Sequence, residues 1–440
     1  MPVAHPTRGA VFALVFCLSA AAAAQDTAIK LTLPEALARA DQNSLRVAEL
    51  LARVDAAAAV QASREAAERP LVSALAGYTR TNHVEQFVLL SGPIPRVLYP
   101  DAPNNYWTRL DLQWPIYSAG RSDALIRAAG AERDAAAFDV AAARLDLRLE
   151  TTRAFWALIT ARQTENVVAR SLEATDAHLG DLRTRLQQGM IPPNDVLTAE
   201  AQRSRQRLLA IEAANLRKIA EADLRRLIGA EGIFAVEPVI AVDAPALTPD
   251  AAAALTEARK QRPERQALAR RAEASKDREQ AIGATARPQL TVAAGYDVAK
   301  PNPHIFPRTD AWRDSWDASV NLTWSLWDGG RRHAEQAEAQ ANTRALTARA
   351  ADFDRQLAFE VEQRTLDVES AAAAIEPAEE GVRSAVEARR VVGERYNAGV
   401  ATTTEMLDAQ TAVLQAELDR TRAIANARLA AARLERSVGR

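Results

Sequence analysis

The 440-residue sequence predicts a mainly α-helical fold with a β-barrel portion, built from a helix–strand–strand–long helix–helix unit that occurs twice. Three observations predict it. Landmark motifs recur at a constant offset, and long stretches lack glycine and proline. Short runs of alternating polarity carry most of the tryptophans.

The duplication comes first because it organises everything else. "WPIYSAGR" (114–121) matches "WSLWDGGR" (324–331), and "RLQQGMIPPNDVLTAE" (185–200) matches "RYNAGVATTTEMLDAQ" (395–410), both offset by 210. Gly120 to Gly189 spans 69 residues and so does Gly330 to Gly399, so no net insertion separates those landmarks. Upstream, "ERPLVSALAGY" (68–78) matches "ARPQLTVAAGY" (286–296) at an offset of 218. The eight-residue difference falls between Gly77 and Trp114, where a loop of variable length belongs.

Residues 1–24 read as a secretory signal, with Arg8, an apolar run over 11–18, and Ala22-Ala23-Ala24 before Gln25. That run is too short for a membrane span, which needs about 20 apolar residues. Cys17 is the sole cysteine, and bulky Phe16 before it argues against lipid attachment; the mature chain then has no thiol chemistry. The first repeat occupies 25–229: a helix over 36–69, strands at about 70–90 and 106–118, a long helix over 121–188 and a return helix over 195–228. A linker, 230–249, follows. The second repeat, 250–440, predicts a helix, strands at about 288–300 and 315–328, and helices over 331–398 and 402–438. Leu172, Leu179, Leu182 and Leu186 step by 7, 3 and 4, as do Leu407, Leu414 and Leu418 by 7 and 4, the spacing of a coiled-coil-like seam. Pro377 lies inside the second long helix and predicts a bend or local break.

The helices alone fit a soluble coiled-coil rod. The strands argue otherwise. Trp316, Ala318, Val320, Leu322, Trp324 and Leu326 alternate with polar residues, as do Leu110, Leu112, Trp114 and Ile116. Six of the seven tryptophans lie in or beside the second strands, which suits the aromatic girdles of a membrane barrel. Trp107, Trp114, Trp316, Trp324 and Trp327 are the candidate membrane aromatic belt. The polar face carries Arg109, Asp111, Asp317 and Asn321, better suited to a wet lumen than to a packed core. Four strands cannot close a wide barrel, and lipid tolerates no open edge, so chains must associate.

Catalysis has little to stand on. The mature chain has four scattered histidines, no Gly-rich phosphate loop and no nucleophile–base constellation, so neither an enzyme nor a cofactor is expected. His83 and His304, in or near the predicted loops, lack further ligands at metal-binding spacing. A net charge of −2 leaves no basic footprint for nucleic acid.

Order, duplication and spacing of these motifs resemble the TolC-like outer-membrane efflux factors over essentially the whole mature chain. The resemblance implies a homotrimer in the outer membrane of a Gram-negative bacterium. Its 12-stranded β-barrel, seated in outer-membrane lipid, continues as a periplasmic α-helical barrel. It implies a passive exit duct of a tripartite efflux or type I secretion system. A periplasmic adaptor would join it to an inner-membrane pump of RND, ABC or MFS type. By the same resemblance, Tyr396, Glu405, Asp408, Asp195 and Asn194 map to the periplasmic gate. Arg185, Gly189, Met190, Arg395, Gly399 and Val400 map to the adaptor-docking tips. One departure concerns Val400-Ala401-Thr402, which is uncharged where some members carry a basic residue. Pro192-Pro193 also stiffens the first tip relative to Thr402–Thr404 in the second. The competing readings are a periplasmic adaptor, which has one helical hairpin, and a structural coiled-coil protein of the envelope.

Overall fold

The computed structural model describes residues 29–90, 94–230, 236–239 and 250–440. The predicted signal with Cys17, and most of the 230–249 linker, lie outside the described residues. The first copy runs β1 (Ile29–Thr32), α1 (Leu33–Asn43), α2 (Leu45–Ala66), β2 (Leu71–Arg80), β3 (Phe87–Leu89), β4 (Arg96–Tyr99), β5 (Asn104–Tyr117), α3 (Arg121–Gln187) and α4 (Pro193–Leu227). After β6 (Val236–Val239) the second copy runs α5 (Ala251–Gln261), α6 (Pro263–Ala284), β7 (Gln289–Lys300), β8 (Arg313–Thr323), α7 (Arg331–Ala373), α8 (Ile375–Asn397) and α9 (Thr403–Val438).

The strands form one four-stranded sheet of order β2-β5-β7-β8, every neighbour antiparallel. Both outer strands, β2 and β8, have an open edge within the chain. The first strand is shorter than the expected 70–90, since it ends at Arg80 and a separate β3–β4 hairpin follows. The last strand also stops early, at Thr323, leaving Trp324 and Trp327 beyond the hydrogen-bonded ladder. A parallel pair, β1 with β6, ties the start of the first copy to the linker. The sequence reading had no strand at either place.

Each opening helix proves to be two. Ser44 leaves helical geometry at ψ 110° and its hydroxyl caps α2 by accepting from the Val47 amide. The equivalent break, 218 residues later, is at Arg262 with ψ 113°. There Pro263 supplies the cause, because the residue before proline is pushed out of the helical region. The second long helix is likewise divided at Ala374. Pro377 has no N–H to offer the carbonyl of Ala373, which is where α7 ends.

The long element α3 spans 67 residues, on the order of 100 Å. It packs against α2, α4, α6 and α9, so the two copies interleave rather than sit apart. Its buried face is rich in small residues near the sheet (Ala124, Ala128, Ala131, Ala135) and in large ones further along (Phe155, Leu158, Leu182). Small residues let helix axes approach, and each large one removed from water adds about 1.5–3 kcal/mol. Where the linker region meets α3, Leu31, Leu158, Leu224 and Ile228 share one cluster.

Both long hairpins turn in the same way. Gly189 (φ 72°) and Gly399 (φ 75°) sit in the left-handed region just past their helices. The amides of Met190 and Val400 donate back to the carbonyls of Arg185 and Arg395, at 2.9 and 2.8 Å. The glycine amides donate to Leu186 and Tyr396, at 2.9 and 3.0 Å. This pair of bonds is the Schellman turn, and it needs a residue free of a Cβ clash at the glycine. Substituting Gly399→Ala should cost about 1 kcal/mol of local stability. Hydrogen exchange of the last α8 amides would then be roughly five-fold faster; unchanged exchange would mean the turn does not depend on the glycine.

Candidate functional site

Two regions of the molecule carry features beyond packing: the hairpin tips and the four-stranded sheet.

At the tips, Leu179, Leu182, Val196, Ala199, Tyr396, Ala401 and Leu407 form one cluster drawn from both hairpins. Tyr396 is its aromatic member, 8% exposed. Its ring meets His178 of α3 edge-on, with centroids 5.3 Å apart, and the Arg185 guanidinium lies 4.8 Å from its centroid. The Tyr396 hydroxyl and His178 Nε2 are both buried, with no hydrogen-bond partner among the described residues. Burial pushes His178 below the ordinary imidazole range; Asp181 opposes that and Arg185 reinforces it.

The predicted gate acids fall in different settings. Thr402 and Glu405 form a capping box at the start of α9: the Glu405 carboxylate accepts from the Thr402 amide at 2.7 Å, and the Thr402 hydroxyl from the Glu405 amide at 3.2 Å. Those bonds, the backbone one foremost, hold Glu405 below the usual carboxylate range. Asp195 accepts from the Thr403 hydroxyl at 2.9 Å, joining α4 to α9. Asp408 and Asn194 are exposed. The structure thus brings Tyr396, Arg185 and the Asp195–Thr403 pair into the neighbourhood of one seam, while Met190 and Val400 project as exposed apolar tips. His178 and Thr403 escaped the sequence reading, because their partners come from helices far apart in sequence.

On the sheet, one face is apolar and exposed: Leu110 and Trp114 on β5, Tyr296 on β7, and Trp316, Val320 and Leu322 on β8. The other face holds Arg109, Asp111, Asp297, Ser315 and Asp317, all less exposed than the apolar set. A soluble sheet buries its apolar side, so this polarity is inverted. Trp114 and Trp324 each donate an indole N–H to the carbonyl ending the preceding helix segment, Glu68 at 3.1 Å and Ala286 at 3.0 Å. Tyr78 and Tyr106 stack 4.9 Å apart, and Trp312 lies 6.0 Å from Tyr106, giving a second aromatic row at the opposite end. Eight residues separate Tyr106 from Trp114 on β5, about 26 Å of strand.

Trp107 must be removed from the expected belt. It shares the strand parity of Arg109 and Asp111, so it lies on the polar face, where its indole covers Gly77. Trp316 and Trp327 are exposed, in keeping with an outward position. In the outer loops His83 pairs with Asp101 at 2.8 Å, and that bond, with one from the Val84 amide, holds Asp101 below its usual range. Among the described residues no group of three His, Cys, Asp or Glu could hold a metal ion, and no helix is long and apolar enough to cross a membrane.

Comparison with known proteins agrees with this geometry. Residues 36–230 and 254–440 match the family described as outer membrane efflux protein. The chain is 27% identical over 324 residues to Protein CyaE of Bordetella pertussis, covering 72% of this chain and 67% of that one. A membrane protein from Pseudomonas aeruginosa shares the fold with a TM-score of 0.80 at 20% identity, over 92% of this chain and 93% of the other. The outer membrane protein VceC of Vibrio cholerae does so with a TM-score of 0.78 at 19% identity, over 92% and 96%.

Two expectations follow for the seam. Tyr396→Ala empties a buried slot and should cost about 3 kcal/mol; tryptic cleavage after Arg185 and Arg395 should then accelerate at least tenfold, and unchanged cleavage would show that the ring holds nothing. His178 binds its proton less readily folded than unfolded. Stability is therefore full above the unfolded value of about 6.5 and is lost as pH falls toward the lowered folded value. Tip cleavage should rise on acidification below that value, and His178→Phe should flatten the profile; a persistent pH response in the variant would place its source elsewhere.

Proposed function

The chain belongs to the outer membrane efflux protein family, and from that premise we propose that three copies close a single outer-membrane exit duct. It is an outer-membrane efflux channel, with a sheet in the membrane and long helices extending into the periplasm. The observation that carries the trimer is the four-stranded sheet with an apolar exposed face and two open edges. Lipid offers no partner for an edge amide. Three sheets make twelve strands. Because each sheet has an even number of antiparallel strands, β8 of one copy meets β2 of the next antiparallel as well.

The helices support the same association. Leu208, Ile211, Leu216 and Ile219 on α4 are exposed, as are Phe359 and Leu366 on α7. In a ring, an apolar stripe on one copy meets a different stripe on its neighbour, the heterologous contact that closes by rotation. The turns at Gly189 and Gly399 are the periplasmic ends, where a periplasmic adaptor docks on exposed Met190 and Val400 and links the duct to an inner-membrane pump. Glu405 and Asp408, three residues apart on α9, would stand in acidic rings around the axis, with Tyr396 holding the hairpins together behind them.

Membrane fractionation and mass measurement in detergent test the reading: an outer-membrane trimer that conducts ions in planar bilayers is expected, and a soluble monomer would overturn it. For the gate, the first tip is stiffened by Pro192 and Pro193, whereas the second has none. Disulfide crosslinks between neighbouring copies through cysteines placed at Val400 should therefore block efflux more than crosslinks through Met190. Equal block would mean that both tips move alike.

A further inference from the structure

The polar face of the sheet contains a cluster that channel closure alone does not explain. In register, Asp111, Gly295 and Asp317 form one row across β5, β7 and β8; Arg109, Asp297 and Ser315 form the next. The Arg109 side chain leaves its own row. Its Nε donates to Asp111 at 2.6 Å, and its Nη1 pairs with Asp297 and, at 3.0 Å, with Asp317. To get there the guanidinium lies across Gly295, where an added methyl group would clash with Nη2. Glycine inside a strand weakens the strand unless something needs the space. Here the guanidinium takes it.

We propose that the three carboxylates gathered on Arg109 over Gly295 set the charge of the barrel bore and give the barrel its own preference for cations. The proposal rests on the trimeric-barrel reading above, since it places the polar face inward. One guanidinium meets three carboxylates, a net of −2 in each copy and −6 around a ring of three. Arg313 shares this strand parity, but it lies nearer the outer mouth opposite Ala299 and adds a single positive charge there. The aligned residues in the rows below (Gln113, Ala293, Ser319, then Thr291 and Asn321) are neutral. A ring of excess carboxylate in a narrow polar bore concentrates cations and retards anions. The ring belongs to the membrane end, on the order of 100 Å of helix from the acids at the tips. Arg109 both limits the excess and fixes its position, because its planar fork hydrogen-bonds Asp111 and Asp297 and its charge draws Asp317 in as an ion pair from the third strand.

The test is reversal potential across planar bilayers containing the full-length protein in a tenfold KCl gradient. Wild type should prefer potassium over chloride. Asp317→Asn, with Asp111→Asn as its counterpart on the other outer strand of the cluster, should lower the permeability ratio by roughly two-fold or more, and Arg109→Gln should raise it. Gly295→Ala leaves the formal charge unaltered. It should displace the guanidinium, change the single-channel conductance and lower the temperature at which the trimer dissociates. An anion-preferring wild type, or conducting charge variants with an unshifted ratio, would overturn this inference and leave the channel standing. A wild type that fails to conduct at all would overturn both.

Discussion

A backbone amide in hydrocarbon must find a partner within the protein, and the rest of this structure depends on that constraint. The sheet obeys it on two of its four strands, β5 and β7, which are paired on both sides. The outer strands each spend one side unpaired, an arrangement that water tolerates and lipid does not. The inverted polarity removes the aqueous alternative, because Trp316, Val320 and Leu322 cannot all be left in water without a large apolar cost. Association of copies answers the amides and the side chains at once. The hydrogen bonds from Trp114 and Trp324 then fasten the sheet to the helix ends at Glu68 and Ala286, so the position of the barrel sets that of the tunnel.

At the far end the forces are balanced differently. The turns themselves are strong, since each closes its helix with two backbone bonds and a glycine in the left-handed region. The seam between the hairpins mixes apolar side chains with polar ones. Tyr396, His178, Thr175, Gln206 and Gln410 each bury a polar atom that has no hydrogen-bond partner among the described residues. The second hairpin also carries the helix division at Ala374, three residues before Pro377.

Much of this was legible along the chain. The duplication predicted both hairpins and both glycine turns, and the sheet has the apolar and polar faces that strict alternation implied. The breaks at Ser44 and Arg262 were missed, because Ser44 sits amid good helix formers and reveals itself only by capping Val47. Pro263 was a readable signal for the second break, and the offset of 218 would have carried it to the first. Trp107 was misplaced for a different reason: tryptophan content suggested a girdle, whereas parity, counted from Arg109, puts it over Gly77 on the polar side.

Short-range chemistry thus determined the elements: alternation of period two, leucines stepping by three, four and seven, glycine where φ must be positive, and the Thr402–Glu405 cap. These are local because backbone geometry and nearest neighbours along the chain are enough to specify them. Only the tertiary structure decided which side chains meet. Arg109 reaches Asp317 across an intervening strand, His178 faces a tyrosine more than 200 residues away, and Asp195 accepts from Thr403 of another helix. Such contacts depend on strand register and helix rotation, which follow from packing the two copies together and leave no local trace in either one.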